Sequence, residues 1–287
     1  MNASDLTFGV EIETTAGAAA TAAGLQVGGY HSGRQVPYLP AGWKASSDSS
    51  IRATPGRFGA EIVSPVLKGI EGLRQVAQVI ATLKAKGHEV NETCGVHVHI
   101  GWTTNDASTL ARLVTIVAYL EAGLFAVTGT KSRERGHHGR SYCKGIKQHG
   151  TAATAQRQAS GDRYHILNLT NLAMGTRNTV EFRVFSGSLN ATKILAWIQI
   201  ALGIVERAHT TKRSPDFAPT APTGGWKKAG PGQSETERLI GYLAWAPGTA
   251  KIHGGKSFGW IADDTLLDRK TAMNTLRTMA AKYDAQA

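Results

Sequence analysis

Polar and apolar residues alternate along several short stretches of this chain. In residues 6–14, Phe8, Val10 and Ile12 interleave with Glu11 and Glu13, a two-residue period that predicts a strand. The same period predicts strands over 57–65, 94–102, 164–172 and 179–187, and a further one over 42–51, with a turn at Pro55-Gly56. Elsewhere the period changes to three and four. Ile70, Leu73, Val76, Ile80 and Leu83 predict a helix over 68–86 that stops at Gly87. Leu110, Leu113, Val117, Leu120 and Leu124 predict a second, capped by Asn105 or Asp106. A third runs over 190–209, and two more lie near 235–244 and 264–283. Residues 15–40, rich in Gly and Ala, and the basic stretch 131–163 show no clear period and read as largely loop.

This order predicts an α+β fold, with a mostly antiparallel sheet on one side and helices covering the other. The expected division is a core over 1–211, a Pro/Gly-rich linker over 212–233 marked by Pro215, Pro219 and Pro222, and a helical extension over 234–287. The chain of 287 residues, 41% hydrophobic with 33 glycines, can bury a sizeable core and has no internal repeat. No apolar run approaches the roughly 20 residues that cross a bilayer. The first residues lack a secretion signal, and Cys94 and Cys143 are too few for a disulfide framework, so a cytoplasmic location with reduced thiols is expected.

The net charge of +11 favours anionic partners. It is concentrated between Lys131 and Arg163, where eight Lys and Arg residues, Arg140 among them, face only Glu134 and Asp162. That segment reads either as a cover over a nucleotide or acidic substrate, or as a solvated mobile surface.

The chemistry lies in pairs of polar residues. Positions i and i+2 of a strand share a face, so Glu11 joins Glu13, His97 joins His99, and Glu181 joins Arg183, each opposite apolar alternates. Glu61 sits between Ala60 and Ile62 on a fourth strand. If these strands are neighbours, four carboxylates, two imidazoles and a guanidinium converge. Clustered anions need protons or a cation, and hard carboxylate donors suit Mg²⁺ or Mn²⁺. An arginine on the same surface would grip a phosphate.

Taken together, these stretches resemble the amidoligase family, within the superfamily of glutamine synthetase and glutamate–cysteine ligase. The matching segments are FGVEIE at 8–13, Trp43 with DSSI at 48–51, GAEIVSPVL at 59–67, VNETCGVHVHIG at 90–101, Arg163-Tyr164 with Leu167-Asn168, and VEFRVFSGSLN at 180–190. The sequence DSS stands where relatives more often have Asp-Gly-Ser, and nothing beyond about 210 matches.

The resemblance implies a glutamine synthetase-like sheet and an ATP- and Mg²⁺- or Mn²⁺-dependent carboxylate–amine ligase working through an acyl phosphate, with an amide or isopeptide product. It implies metal ligation by Glu11, Glu13, Glu61, His97 and Glu181, with His97 nearer the nucleotide and Glu61 at the substrate end. His99 would contact phosphate and Arg183 would stabilise it. Arg163 and Asn168 would help bind nucleotide, and Trp43, Asp48 and Arg163 would help bind substrate. The partners would be an acid and an amine from an amino acid, peptide or protein side chain, and a lid would exclude water.

Two other readings exist. A metal-dependent hydrolase could use the same Glu/His cluster without ATP. A basic nucleic-acid-binding protein would account for the charge, although the chain lacks aromatic RNA motifs and a DNA-binding helix pair. Glu121, on the apolar stripe of the second helix, is expected to pair with an arginine or histidine. Arg177 is expected to bind phosphate or cap a turn. Neither cysteine sits in a nucleophile's context.

Overall fold

The computed structural model of the protein describes residues 1–30, 32–135, 142–217 and 230–286. In chain order the elements begin with β1 (Thr7–Ala16), α1 (Ala18–Ala22), β2 (Arg34–Gln35), β3 (Lys44–Ser46), β4 (Phe58–Val63), β5 (Leu67–Lys68) and α2 (Gly69–Ala85). Then come β6 (Gly95–Gly101), α3 (Ala107–Ala126), α4 (Ser132–Arg135), α5 (Ala152–Gly161), β7 (Leu167–Asn168), α6 (Thr170–Ala173) and β8 (Thr179–Ser186). Helices α7 (Ala191–Thr210), α8 (Pro231–Tyr242), α9 (Thr249–Ile252), α10 (Asp264–Leu267) and α11 (Arg269–Asp284) complete the order.

The strands form one open sheet in the order β2-β3-β4-β1-β6-β8-β7, with β5 also pairing β1. Each strand pairing is antiparallel, as the alternation predicts. Phe8, Val10 and Ile12 of β1 and Val96, Val98 and Ile100 of β6 are buried on one face. Helix α7 lies against β6 and also meets α2 and α3. It is apolar on nearly every side because it is the middle of the helical layer, and Trp197 stacks on Phe185 of β8 at 5.2 Å. Helices α8 and α11 pack on the outside of α3.

Capping matches the sequence where the signal is local. Asp106 accepts from Ser108 N and Thr109 N at the start of α3, and Asn190 accepts from Lys193 N at the start of α7. Gly87, with φ +73°, follows α2. Four expectations change. Helices α4 and α5 occupy part of the basic stretch, and α1 forms where a loop was expected, because α1 and α5 are built on alanines that leave almost no hydrophobic stripe. The strand expected over 42–51 shrinks to β3, and that over 164–172 shrinks to β7 followed by α6. Helix α3 is long and apolar enough, by length and composition, to cross a membrane, but most of it is buried inside the protein. Arg140, Pro219 and Pro222 lie outside the described residues.

Candidate metal and anion site

The register of the sheet brings the polar pairs together. Glu11 lies opposite His97 across β1 and β6, Glu13 opposite Glu61 across β1 and β4, and His99 opposite Glu181 across β6 and β8. One interruption matters. Val96 faces Phe185 but Val98 faces Phe182, so β8 carries an extra residue between them. Arg183 falls in this bulge, and its N–H bonds Ile166 O.

Distances define two groups that share His97. In the first, His97 Nδ1 is 3.1 Å from Glu11 Oε2 and 3.6 Å from Glu181 Oε1. In the second, His97 Nε2 is 3.6 Å from Glu13 Oε1, and Glu61 joins them. Each group offers three ligand atoms within 4.8 Å of one another, a spacing that fits a divalent cation. His99 Nε2 pairs with Glu11 Oε1 at 3.2 Å and Glu181 Oε1 at 4.0 Å, contacts of charge rather than aligned hydrogen bonds.

Supporting bonds fix the carboxylates. Gly95 N donates to Glu13 Oε2 at 2.5 Å, Ser46 Oγ to Glu61 Oε2 at 3.0 Å, and Asn168 Nδ2 to Glu181 Oε2 at 2.5 Å. Arg183 Nη1 donates to Glu181 Oε1 at 2.6 Å. Glu13, His97, Glu181 and Arg183 are all buried.

The electrostatics show charges set against one another. Burial pushes Glu61 up to about 8, and the neighbouring charges of Glu11 and Glu13 add to this. Burial would also raise Glu11, but His99 and His97 outweigh it and hold the carboxyl well below the usual range. Burial would raise Glu181 too, yet Arg183 and the histidines hold it low. Burial opposes a charge on His99, but Glu11 and Glu181 overcome it and lift the imidazolium to about 9. The hard-oxygen donors and the surplus charge around Glu61 together fit bound divalent cations.

Two cavities meet on this floor, one of about 750 Å³ and one of about 940 Å³. Tyr30, Asp48, His97, Arg163 and Arg183 line both. Glu11, Glu61, His99, Asn168 and Glu181 belong to the larger one, as does Arg177. Glu13, Arg52, Arg133 and Tyr142 belong to the smaller one. Both ends of the basic stretch therefore wall the smaller cavity.

Of the residues read from sequence, all but Trp43 border a cavity. Trp43 is 0% exposed, in the core, with its indole N–H bonded to Gln75 Oε1 at 2.8 Å. Its large apolar ring is worth more under the sheet than at a wet wall. Glu121 also departs from expectation: it accepts from the backbone N–H groups of Ile146 and Lys147, and among the described residues no arginine or histidine pairs with it. Arg177 is exposed, at the wall of the larger cavity. Sequence reasoning missed Tyr30, whose hydroxyl receives Arg163 Nη1, and Arg133 and Arg52, which no strand period marks.

A sheet floored by carboxylates and histidines, with arginines between two cavities, is a candidate site for cations and anions. The family model described as "Putative amidoligase enzyme" matches residues 4–205, and the chain belongs to that family. Among solved structures, a bifunctional glutathione synthetase from Pasteurella multocida is similar over 98% of this chain and 51% of its own, at 11% identity and a TM-score of 0.43. The chain thus spans about half the length of that protein. No curated protein matches it.

Proposed function

We propose that this protein is an ATP-dependent carboxylate–amine ligase with a glutamine synthetase-like sheet, forming an amide or isopeptide bond through an acyl phosphate. The observation that carries this reading is the pair of three-ligand groups sharing His97 where the two cavities meet. Family membership supplies the reaction class.

Glu11 and Glu181 would hold one cation and Glu13 and Glu61 a second, with His97, whose two ring nitrogens face the two groups, completing one of them. Bound Mg²⁺ or Mn²⁺ would offset negative charge on the nucleotide's phosphates. His99 and Arg183 present positive charge beside the first group, where a phosphoryl group gains most from fixed donors. Asn168 keeps Glu181 turned toward the histidines. Arg163 borders both cavities, so it can contact anionic groups on either side. Asp48 borders both as well, a position suited to the acid or amine substrate. The core over 1–211, the linker over 212–233 and the extension over 234–287 belong to the same proposal.

The test is to incubate the protein with ATP, Mg²⁺ and a panel of acids and amines, following ADP and product mass. ADP release that needs both an acid and an amine, and is lost in Glu13→Gln and Glu181→Gln, is expected. Product formed without ATP would sink the reading in favour of a hydrolase.

A further inference from the structure

We infer that Arg133, with Arg52 at the rim, forms a subsite in the smaller cavity for a second anionic group on the acid substrate, one that does not react. The substrate class is therefore an acid bearing two carboxylates. This inference rests on the ligase reading and refines its substrate.

Four guanidiniums line this cavity, those of Arg52, Arg133, Arg163 and Arg183. Among the described residues only Arg183 has a carboxylate partner, Glu181. Arg163 and Arg183 also border the larger cavity, whereas Arg52 and Arg133 border the smaller one alone. They are therefore placed for something that occupies that side.

Arg133 is the telling residue. It is only 9% exposed, yet no acid pairs with it among the described residues. Nη2 donates to Arg183 O at 2.6 Å, while Nε is buried with no partner. A buried cation that lacks a counter-charge is costly to keep, and a carboxylate from a ligand would offset that cost through paired N–H donors. A Cβ at Gly95 would stand 2.9 Å from Arg133 Nη2, so the guanidinium lies against the residue whose N–H holds Glu13. The second anion would thus sit beside the cation group that contains Glu13.

The backbone that carries Arg133 is also held in place from behind. The hydroxyl of Tyr283 bonds Glu134 Oε2, and Lys131 N donates to Gln286 Oε1 at 3.0 Å, so α4 is tied on both sides of Arg133. Arg52 has its backbone tied to the turn before β6: its N–H donates to Thr93 Oγ1 at 3.0 Å, and its carbonyl accepts from Asn91 Nδ2 at 2.7 Å. Backbone fixed before the ligand arrives leaves less to order on binding.

The experiment uses Mn²⁺ as both metal and probe. Mn²⁺ affinity is measured first; then succinate, glutarate and adipate are compared with butyrate, valerate and hexanoate by Mn²⁺-enhanced relaxation of their methylene protons, with Mn²⁺–ADP bound. The wild type is expected to bind at least one dicarboxylate tenfold or more tightly than its monocarboxylate. Arg133→Met should abolish the preference and Arg52→Ala should reduce it, with Mn²⁺ and ADP affinities within twofold of wild type. Equal binding of the two acid classes, or a preference that survives Arg133→Met, would overturn the subsite. A loss of ADP affinity in Arg133→Met would also overturn it, by assigning the guanidinium to the nucleotide. Failure of the wild type to bind Mn²⁺ would instead overturn the metal reading on which the subsite rests.

Discussion

Glu13 and Glu61 stand directly opposite each other across β1 and β4, and their carboxylates fall in one three-ligand group. Like charges in facing strand positions repel, and Glu61 is pushed up to about 8 by burial and by Glu11 and Glu13. Its folded pKa lies above its unfolded value near 4.5, so metal-free stability falls as pH rises from about 4.5 to 8. Glu61→Gln removes that burden. The metal-free variant should be more stable than wild type by at least about 1 kcal/mol at pH 9, with the gap narrowing toward pH 6. Mn²⁺ should reverse the order, because the wild type gains a ligand that the variant lacks. Urea midpoints at both pH values, with and without Mn²⁺, check this. A variant no more stable than wild type at pH 9 counts against the charge conflict.

Arg183 and Glu181 form a buried pair at 2.6 Å. Arg183→Ala leaves Glu181 without its strongest counter-charge, an arrangement that costs about 3–5 kcal/mol in buried pairs. Lower thermal stability is expected along with at least a hundredfold loss of ATP-dependent product formation. Lys at 183 should recover more stability than activity, since it keeps the charge and loses the fork of donors. Full activity in the Ala variant would remove Arg183 from the chemistry.

Asn168 acts through its neighbour. It donates to Glu181 Oε2, and its own carbonyl oxygen accepts from Thr170 N at 2.9 Å. Asn168→Ala should weaken Mn²⁺ binding about 10- to 100-fold, the usual effect of removing a residue that orients a ligand. Loss of about 1–3 kcal/mol of stability should accompany it. Calorimetric Mn²⁺ titration is the check, and unchanged affinity would leave Asn168 a purely structural role.

His88 offers a pH signature away from the site. Thr14 Oγ1 lies 3.0 Å from Ala60 O and 2.9 Å from His88 Nδ1, and Tyr38 OH lies 2.7 Å from Nε2. With the Thr14 proton given to Ala60 O, neutral His88 donates from Nδ1 and accepts at Nε2. Burial, helped by Arg57, depresses its pKa to about 4. The unfolded chain takes up a proton from about pH 6.5 and the folded chain does not, so this stability is complete above 6.5 and is lost as pH falls toward 4. At most about 3 kcal/mol is involved. The stability gap between wild type and His88→Gln, read by urea denaturation, should therefore shrink between pH 7 and pH 5. A constant gap would contradict the assignment.

The site was legible wherever one strand carried it. The two-residue period placed Glu11 with Glu13 and His97 with His99, because strand geometry alone decides which side chains share a face. The same period buried Val10, Ile12, Val96 and Val98 correctly. Partners joined by distant segments left no periodic trace. Arg133 reaches the cavity from a four-residue helix, and Tyr30 from a stretch with no clear period. Trp43 misled because an aromatic inside a motif reads the same whether it faces a ligand or the core. Helix α5 escaped notice because its inward positions are Ala155 and Ala159, too small to form a stripe.

The ties that Tyr283 and Gln286 make to Glu134 and Lys131 give the last helix a role that no motif hints at. The family match ends at 205, some eighty residues before these contacts. A shortened protein ending there would keep each candidate metal ligand and lose the brace behind Arg133. It would also uncover the face of α3 that α8 and α11 protect, so trimming this chain to its recognisable segment would yield a sticky fragment with a slack cavity wall.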